Sequence, residues 1–211
     1  LFDGTNEGNI VCRMQAEGLE ADFSSCEVIS EVRTVNNRLA PAPIETRVAA
    51  AEWHADGRLY CYNSGQGPHP VRSAIAKILN LQEDQVRVIS RDVGGSFGAK
   101  ARPFPEEVLL GWLARRIGRP VKWVPPRSDD MVGLGHGRGQ IQYCKIGGTR
   151  DGNITTYQLH VVQESGAYPA GGAGLPSNAR AMLTGCYKIP SVGFSSVSVA
   201  VSYTHLRAHE T

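Results

Sequence analysis

The sequence has no apolar run approaching the length of about eighteen residues that suggests a membrane-spanning helix. Its charges nearly cancel, 22 Lys and Arg against 20 Asp and Glu, for a formal net charge of +2. A dedicated surface for nucleic acid or for an anionic membrane is therefore not expected. No Cys-x-x-Cys pair occurs among Cys12, Cys26, Cys61, Cys144 and Cys186, so a zinc or iron–sulfur signature is missing. Their odd number disfavours a full disulfide framework. Buried free thiols in a reducing, cytoplasmic compartment are the expectation. The 6 histidines are scattered without ligand spacing, and no metal is assigned to side-chain nitrogen or sulfur. Leu1-Phe2-Asp3-Gly4-Thr5 carries neither an initiator Met nor a signal-peptide pattern, so a piece of a longer chain is expected.

What is present centres on Val93-Gly94-Gly95-Ser96-Phe97-Gly98-Ala99-Lys100. This run follows the β-branched segment Val86-Arg87-Val88-Ile89 and reads as a strand emptying into a glycine-rich loop. Glycine frees such a backbone to take positive φ and to approach a ligand, and successive N–H groups there can line an anion-binding concavity. Ser96 adds a hydroxyl and Lys100 a cation. The loop lacks the Gly-Lys-[Ser/Thr] ending of a P-loop and the glycine spacing of the dinucleotide fingerprint. A tight turn beside a sheet fits the same residues. Gln66, between Gly65 and Gly67, offers a neutral amide N–H donor ahead of a helix start. Capping that helix would suit it equally.

The surrounding pattern predicts an α+β domain with a mixed sheet and packed helices. Residues 1–27 read as a linker, 28–35 as a strand, and 48–53 and 59–62 as a hairpin across Asp56-Gly57. A helix starts at Pro68, with Val71, Ile75, Ile78 and Leu79 as its buried face. A second spans about 105–117, with Glu106 and Glu107 in its first turn, Arg115 and Arg116 in its last, and Gly118 beyond. Leu109, Trp112, Leu113 and Ile117 form its expected core stripe. Short strands follow at 121–124 and 192–201, with a long hairpin around Thr149-Arg150-Asp151-Gly152 between them.

Further motifs share an order and spacing with the glycine loop: Asn36-Asn37-Arg38-Leu39-Ala40-Pro41-Ala42-Pro43-Ile44-Glu45-Thr46-Arg47, Asn63 to Arg72 around Gln66, Gly118-Arg119-Pro120-Val121-Lys122-Trp123, His136-Gly137-Arg138-Gly139, Gly166-Ala167-Tyr168-Pro169 and Gly185-Cys186-Tyr187-Lys188-Ile189-Pro190. Over roughly residues 8–200 the set resembles the molybdenum hydroxylases, which include xanthine dehydrogenase, aldehyde oxidase and the large subunit of aerobic carbon monoxide dehydrogenase. The resemblance implies that 28–201 is the N-terminal part of a molybdopterin-binding domain and that 1–27 is a linker from a hammerhead-type domain. It implies that Gln66 hydrogen-bonds an oxygen ligand of molybdenum. It also implies that Gly94, Gly95, Ser96, Phe97 and Gly98 pass close to the metal and the pterin. No catalytic residue is assigned. Relatives more often carry Gly or Ala at the Ser96 position. Purine-oxidising members carry a glutamate after the lysine; Ala101 stands here, which disfavours purine oxidation. Arg180 roughly matches a substrate-contacting arginine, though a solvated surface arginine fits it too. His136 to Gly139 reads as structural positioning.

The implied activity is oxidation of an electron-poor carbon in an aldehyde, an N-heterocycle or carbon monoxide, with water as oxygen source. The implied cofactor is molybdenum–molybdopterin in its cytosine dinucleotide form, with [2Fe–2S] and FAD on partner subunits. Two other classes stay open at this point: a non-catalytic scaffold of the same fold, and a nucleotide- or phosphate-binding enzyme using Gly94 to Gly98. Residues 202–211 match nothing in the family, look like a translated sequencing adapter, and are read as a non-native tail.

Overall fold

The computed structural model describes residues 8–15, 20–168 and 172–201; the expected tail at 202–211 lies outside them. In chain order the elements are β1 (Ile10–Gln15), β2 (Val28–Leu39), β3 (Ala49–Trp53), β4 (Leu59–Asn63), α1 (Pro68–Leu79), β5 (Val86–Ile89), α2 (Pro105–Ile117), β6 (Val121–Trp123), α3 (Arg127–Gly133), β7 (Gly137–Gly148), β8 (Ile154–Glu164), α4 (Leu175–Ala181) and β9 (Ser191–Val199). They fall into two compact units, Ala40–Gly137 and the segments that flank it. The class is α+β.

The 40–137 unit is built on a four-stranded sheet in the order β5-β4-β3-β6. Alternation along its strands sends Ala49, Ala51, Leu59 and Cys61 to one face, where they pack with Val71 and Ile75 of α1 and Val108, Leu110 and Ala114 of α2. β3 and β4 form the expected antiparallel hairpin, whereas β4 and β5 are parallel. A parallel pair needs a crossover, and α1 supplies it. The loops that leave β4 and β5 therefore emerge side by side, at the carboxyl ends of neighbouring strands.

The α2 boundaries agree with the sequence reading, down to Gly118 at φ 63° as its C-terminal stop. Its face does not. The buried residues are Glu107, Val108, Leu110, Gly111 and Ala114, while Leu109, Trp112 and Ile117 are half exposed. The reason is steric. A Cβ on Gly111 would stand 2.8 Å from Leu59 Cδ2 and 3.2 Å from Leu79 Cδ1. The small residues let the helix axis approach the sheet, and the Trp53 indole N–H donates to the Gly111 carbonyl at 2.9 Å. On α1 the expected face also shifts, since Ile78 is exposed.

Two buried polar knots fix this unit. Asp130 of α3 is 0% exposed and accepts from the Arg47 backbone N–H (3.0 Å) and the Arg47 Nε (3.1 Å). The Arg47 guanidinium also lies over Phe104 at 4.5 Å and Trp123 at 5.5 Å. In the second knot, Glu107 accepts from the Phe104 N–H with one oxygen and from Asn63 Nδ2 with the other. Asn63 in turn accepts from Ser90 Oγ. The ends of β4 and β5 are thereby tied to the start of α2. Burial pushes the Glu107 carboxyl above its ordinary range, against the opposing pull of its Asn63 and Phe104 hydrogen bonds.

The flanking unit holds a five-stranded sheet in the order β1-β9-β8-β7-β2. β7 and β8 form the expected hairpin, turning with Gly152 at φ 95°. β8 and β9 are parallel, and Leu159, Val161 and Phe194 form the core. Arg138 takes φ 61° at the start of β7, where its carbonyl accepts from Gln163 Nε2. Residues 10–15, read from sequence as linker, are a strand antiparallel to β9. Residues of the stretch 28–201 contribute to both units. Neither α3 nor α4 was expected. All five thiols are free, yet only Cys61 is buried and Cys186 is exposed, correcting the expectation of a uniformly buried set. Burial pushes the Cys61 thiol up to about 12.

Asp130→Ala leaves the buried Arg47 with only the partly exposed Glu106, at 3.4 Å, as ionic partner and should lower stability by up to about 3–5 kcal/mol in urea unfolding. The Glu107 carboxyl holds its proton more tightly folded than unfolded. Its contribution is therefore full below the ordinary value of 4.5 and declines as pH rises through its raised folded value. Thermal unfolding between about pH 4.5 and 7 should show Glu107→Gln gaining on the wild type as pH rises. A constant gap between the two would contradict this.

Candidate functional site

The loop after β4 carries Ser64, Gly65, Gln66 and Gly67; the loop after β5 carries Gly94 to Lys100. The structure brings them together. Ser96 Oγ donates to Gln66 Oε1 at 2.5 Å, and the Gln66 backbone N–H donates to the Lys100 carbonyl at 3.0 Å. Gln66 does not cap α1: the N-cap is Gly67, with no side-chain cap bond. The Gln66 side chain is exposed, and its amide nitrogen has no partner among the described residues.

Gly95 at φ 101° and Gly98 at φ 85° take backbone conformations that favour glycine. Gly94 is required for a different reason. A Cβ there would lie 2.5 Å from the Glu45 Cβ. The close approach lets the Gly94 N–H donate to Glu45 Oε2 at 2.8 Å while the Glu45 N–H donates to the Gly94 carbonyl at 3.2 Å. Phe97 holds φ 53° and is 78% exposed, so it is no core residue. A non-glycine residue in this region is uncommon. The N–H groups of Gly95, Ser96, Phe97 and Gly98 have no hydrogen-bond partner among the described residues. Open space lies beyond Gly98, where an added Cβ would meet nothing within 4 Å.

Lys100 is not at the loop face. It is 2% exposed, and its ammonium points inward to Ser64 Oγ at 3.3 Å and Glu45 Oε2 at 3.4 Å. A buried cation must be paired, and Glu45 pairs it. The reading of this loop as a phosphate cradle thereby loses the cation it relied on. Among the described residues no cluster of His, Cys, Asp or Glu could hold a metal ion directly. A metal complex here would have to bring its own ligands. What the loops offer is an unpaired amide and a row of unpaired N–H groups, all hydrogen-bond donors, matching a group rich in acceptor oxygens and ring nitrogens.

Arg180 lies on α4 in the other unit and is exposed. That unit also holds a cavity of about 350 Å³, bordered by Arg38 and Glu164, which form an ion pair. Asn36, Asn37, Arg38 and Gly139 of the noted motifs line it, but none of the residues expected at the cofactor or the substrate does. The site residues that sequence reasoning missed are Glu45 and Ser64. Glu45 stands within a motif it noted, but the contacts of both are long-range and leave no local signal.

The family profile described as the molybdopterin cofactor-binding domain matches residues 2–208. The large subunit of nicotine 6-hydroxylase from Paenarthrobacter nicotinovorans is 34% identical over 80% of this chain and 21% of its own length. The carbon monoxide dehydrogenase large chain from Afipia carboxidovorans is 30% identical over 82% of this chain and 22% of its own. Among solved structures, the reconstituted CO dehydrogenase from Oligotropha carboxidovorans superposes with a TM-score of 0.79 at 28% identity, covering 93% of this chain and 25% of that one. The chain thus spans about a fifth to a quarter of the length of these relatives. It belongs to the molybdopterin cofactor-binding domain family.

Proposed function

We propose that this chain supplies the first cofactor-facing loops in the molybdopterin-binding subunit of a molybdenum hydroxylase, with residues 28–201 as the N-terminal part of that domain. One observation carries the reading. The Gln66 amide and the unpaired N–H groups of residues 95–98 converge at the carboxyl ends of two parallel strands. Crevices at such strand ends are where α/β layers commonly bind ligands.

When bound, the molybdenum–molybdopterin group would supply oxidation of an electron-poor carbon, with water as the oxygen source. The chain's own residues bind and orient. Gln66 presents a neutral N–H to an acceptor ligand without adding charge. The backbone of Gly95 to Gly98 supplies donors at a distance that a side chain would block. Phe97, held outward by its positive φ, shields one side of the group from water. No general base is assigned among the described residues. The cofactor carries the hard chemistry and the protein its placement.

The family resemblance extends the reading. We infer the cytosine dinucleotide form of the cofactor, with iron–sulfur and FAD subunits as electron-accepting partners in a cytoplasmic complex. The substrate class is an aldehyde, an N-heterocycle or carbon monoxide. Ala101 disfavours a purine, and Arg180 is a candidate substrate contact.

The test is molybdenum content. In the full-length protein carrying this segment, purified with its partner subunits, Gly98→Val should lower bound molybdenum about tenfold, the loss of roughly one good contact. An added Cβ at Gly98 meets nothing within 4 Å, but valine is strained at φ 85°, so thermal unfolding measured alongside must show that the variant keeps the wild-type fold. Full molybdenum occupancy in Gly98→Val would refute the reading. The 211-residue chain alone should turn over neither aldehydes nor N-heterocycles.

A further inference from the structure

An amide that serves as a donor has a built-in ambiguity. Its oxygen and nitrogen are nearly the same size, and a half-turn about the last side-chain bond exchanges them. An exposed glutamine facing an acceptor ligand would present the wrong atom half the time. Something must set the orientation of Gln66.

The glycine loop contains the group that does so. Ser96 is 8% exposed, although its neighbour Phe97 stands in solvent. Its hydroxyl accepts from the Lys100 N–H at 3.2 Å and reaches Gln66 Oε1 at 2.5 Å. A hydroxyl has one proton. The Lys100 N–H occupies one of its two lone pairs, and the proton has no acceptor among the described residues other than Gln66 Oε1, so the bonded pair is satisfied when Gln66 offers its carbonyl oxygen. The Gln66 backbone is fixed by the same residue, its N–H bonding the Lys100 carbonyl at 3.0 Å. Main chain and side chain are clamped together, and the amide N–H groups are left facing outward. The direction of the relay, Lys100 N–H to Ser96 hydroxyl to Gln66 oxygen, determines which end of the amide is available.

We propose that Ser96 is a positioning residue: its hydroxyl locks the Gln66 amide with nitrogen outward, toward an acceptor oxygen of the bound metal complex. The inference rests on the functional reading above and adds to it a residue that acts only through Gln66. Ser96→Ala removes only the hydroxyl, adds no atom and keeps the backbone N–H, so it should fold, and its molybdenum content reports whether it loads.

The experiment is electron–nuclear double resonance on the cofactor-loaded, full-length protein in its partially reduced, paramagnetic molybdenum state. The readout is the weaker coupling of exchangeable protons beyond the metal's own ligands, with molybdenum content measured alongside. The wild type should show a coupled proton and Gln66→Leu should lose it. Ser96→Ala should keep its molybdenum while the coupled population falls to about half or below, since a free amide samples both flipped orientations. Ser96→Thr keeps the hydroxyl and should restore the wild-type signal. A coupling lost in Gln66→Leu but intact in Ser96→Ala overturns the role of Ser96 and leaves the functional reading standing. So does a loaded Ser96→Thr without the coupling. A coupling that survives Gln66→Leu overturns both the placement of Gln66 and the inference built on it.

Discussion

A single buried lysine holds the candidate site together. Lys100 touches every segment that builds it: its ammonium meets Glu45 and Ser64, its N–H meets the Ser96 hydroxyl, and its carbonyl receives the Gln66 N–H. Glu45 then grips Gly94 through both backbone atoms. Removing an ammonium from water is costly unless it is paired and hydrogen-bonded, so the alternatives in which these loops separate are penalised. The charge works beneath the site and not at its face. It ties three loops into one edge that presents the Gln66 amide and the N–H groups of residues 95–98.

The sheet topology makes that arrangement possible. The parallel pairing of β4 and β5 places their exits side by side, with α1 between them in sequence. The Glu107–Asn63–Ser90 chain then pins those strand ends to the start of α2, and Arg47 with Asp130 pins the preceding segment to α3. The polar knots lie just under the loops, and the apolar core of Leu59, Ile75 and Leu110 lies further in. This order suits a binding edge, because the side-chain geometry nearest the ligand is fixed by directional bonds and not by packing alone.

Much of this was legible where the signal is local. Prolines at the α1 start, acidic and basic residues at the two ends of α2 and the Asp-Gly turns mark boundaries through chemistry that acts within a few residues. The α+β class, the glycine loop and Gln66 followed from such signals and from the resemblance they supported. What escaped is non-local. The α2 face was misjudged because periodicity finds large apolar residues, whereas contact with Leu59 requires the small Gly111 and Ala114. β1 is defined by its pairing with β9, far along the chain, and α3 is held by Asp130 finding Arg47. Lys100 was taken for a ligand-facing cation because sequence shows a charge and not its partner. That Gln66 and Ser96 share a hydrogen bond was not visible either, although both residues were singled out.

A structure of the full-length protein with its cofactor bound is the most direct measurement. The account predicts Gln66 Nε2 within hydrogen-bond distance of an oxygen ligand of the metal, and the backbone of residues 95–98 against the same complex. A cofactor bound with neither loop in contact would contradict it.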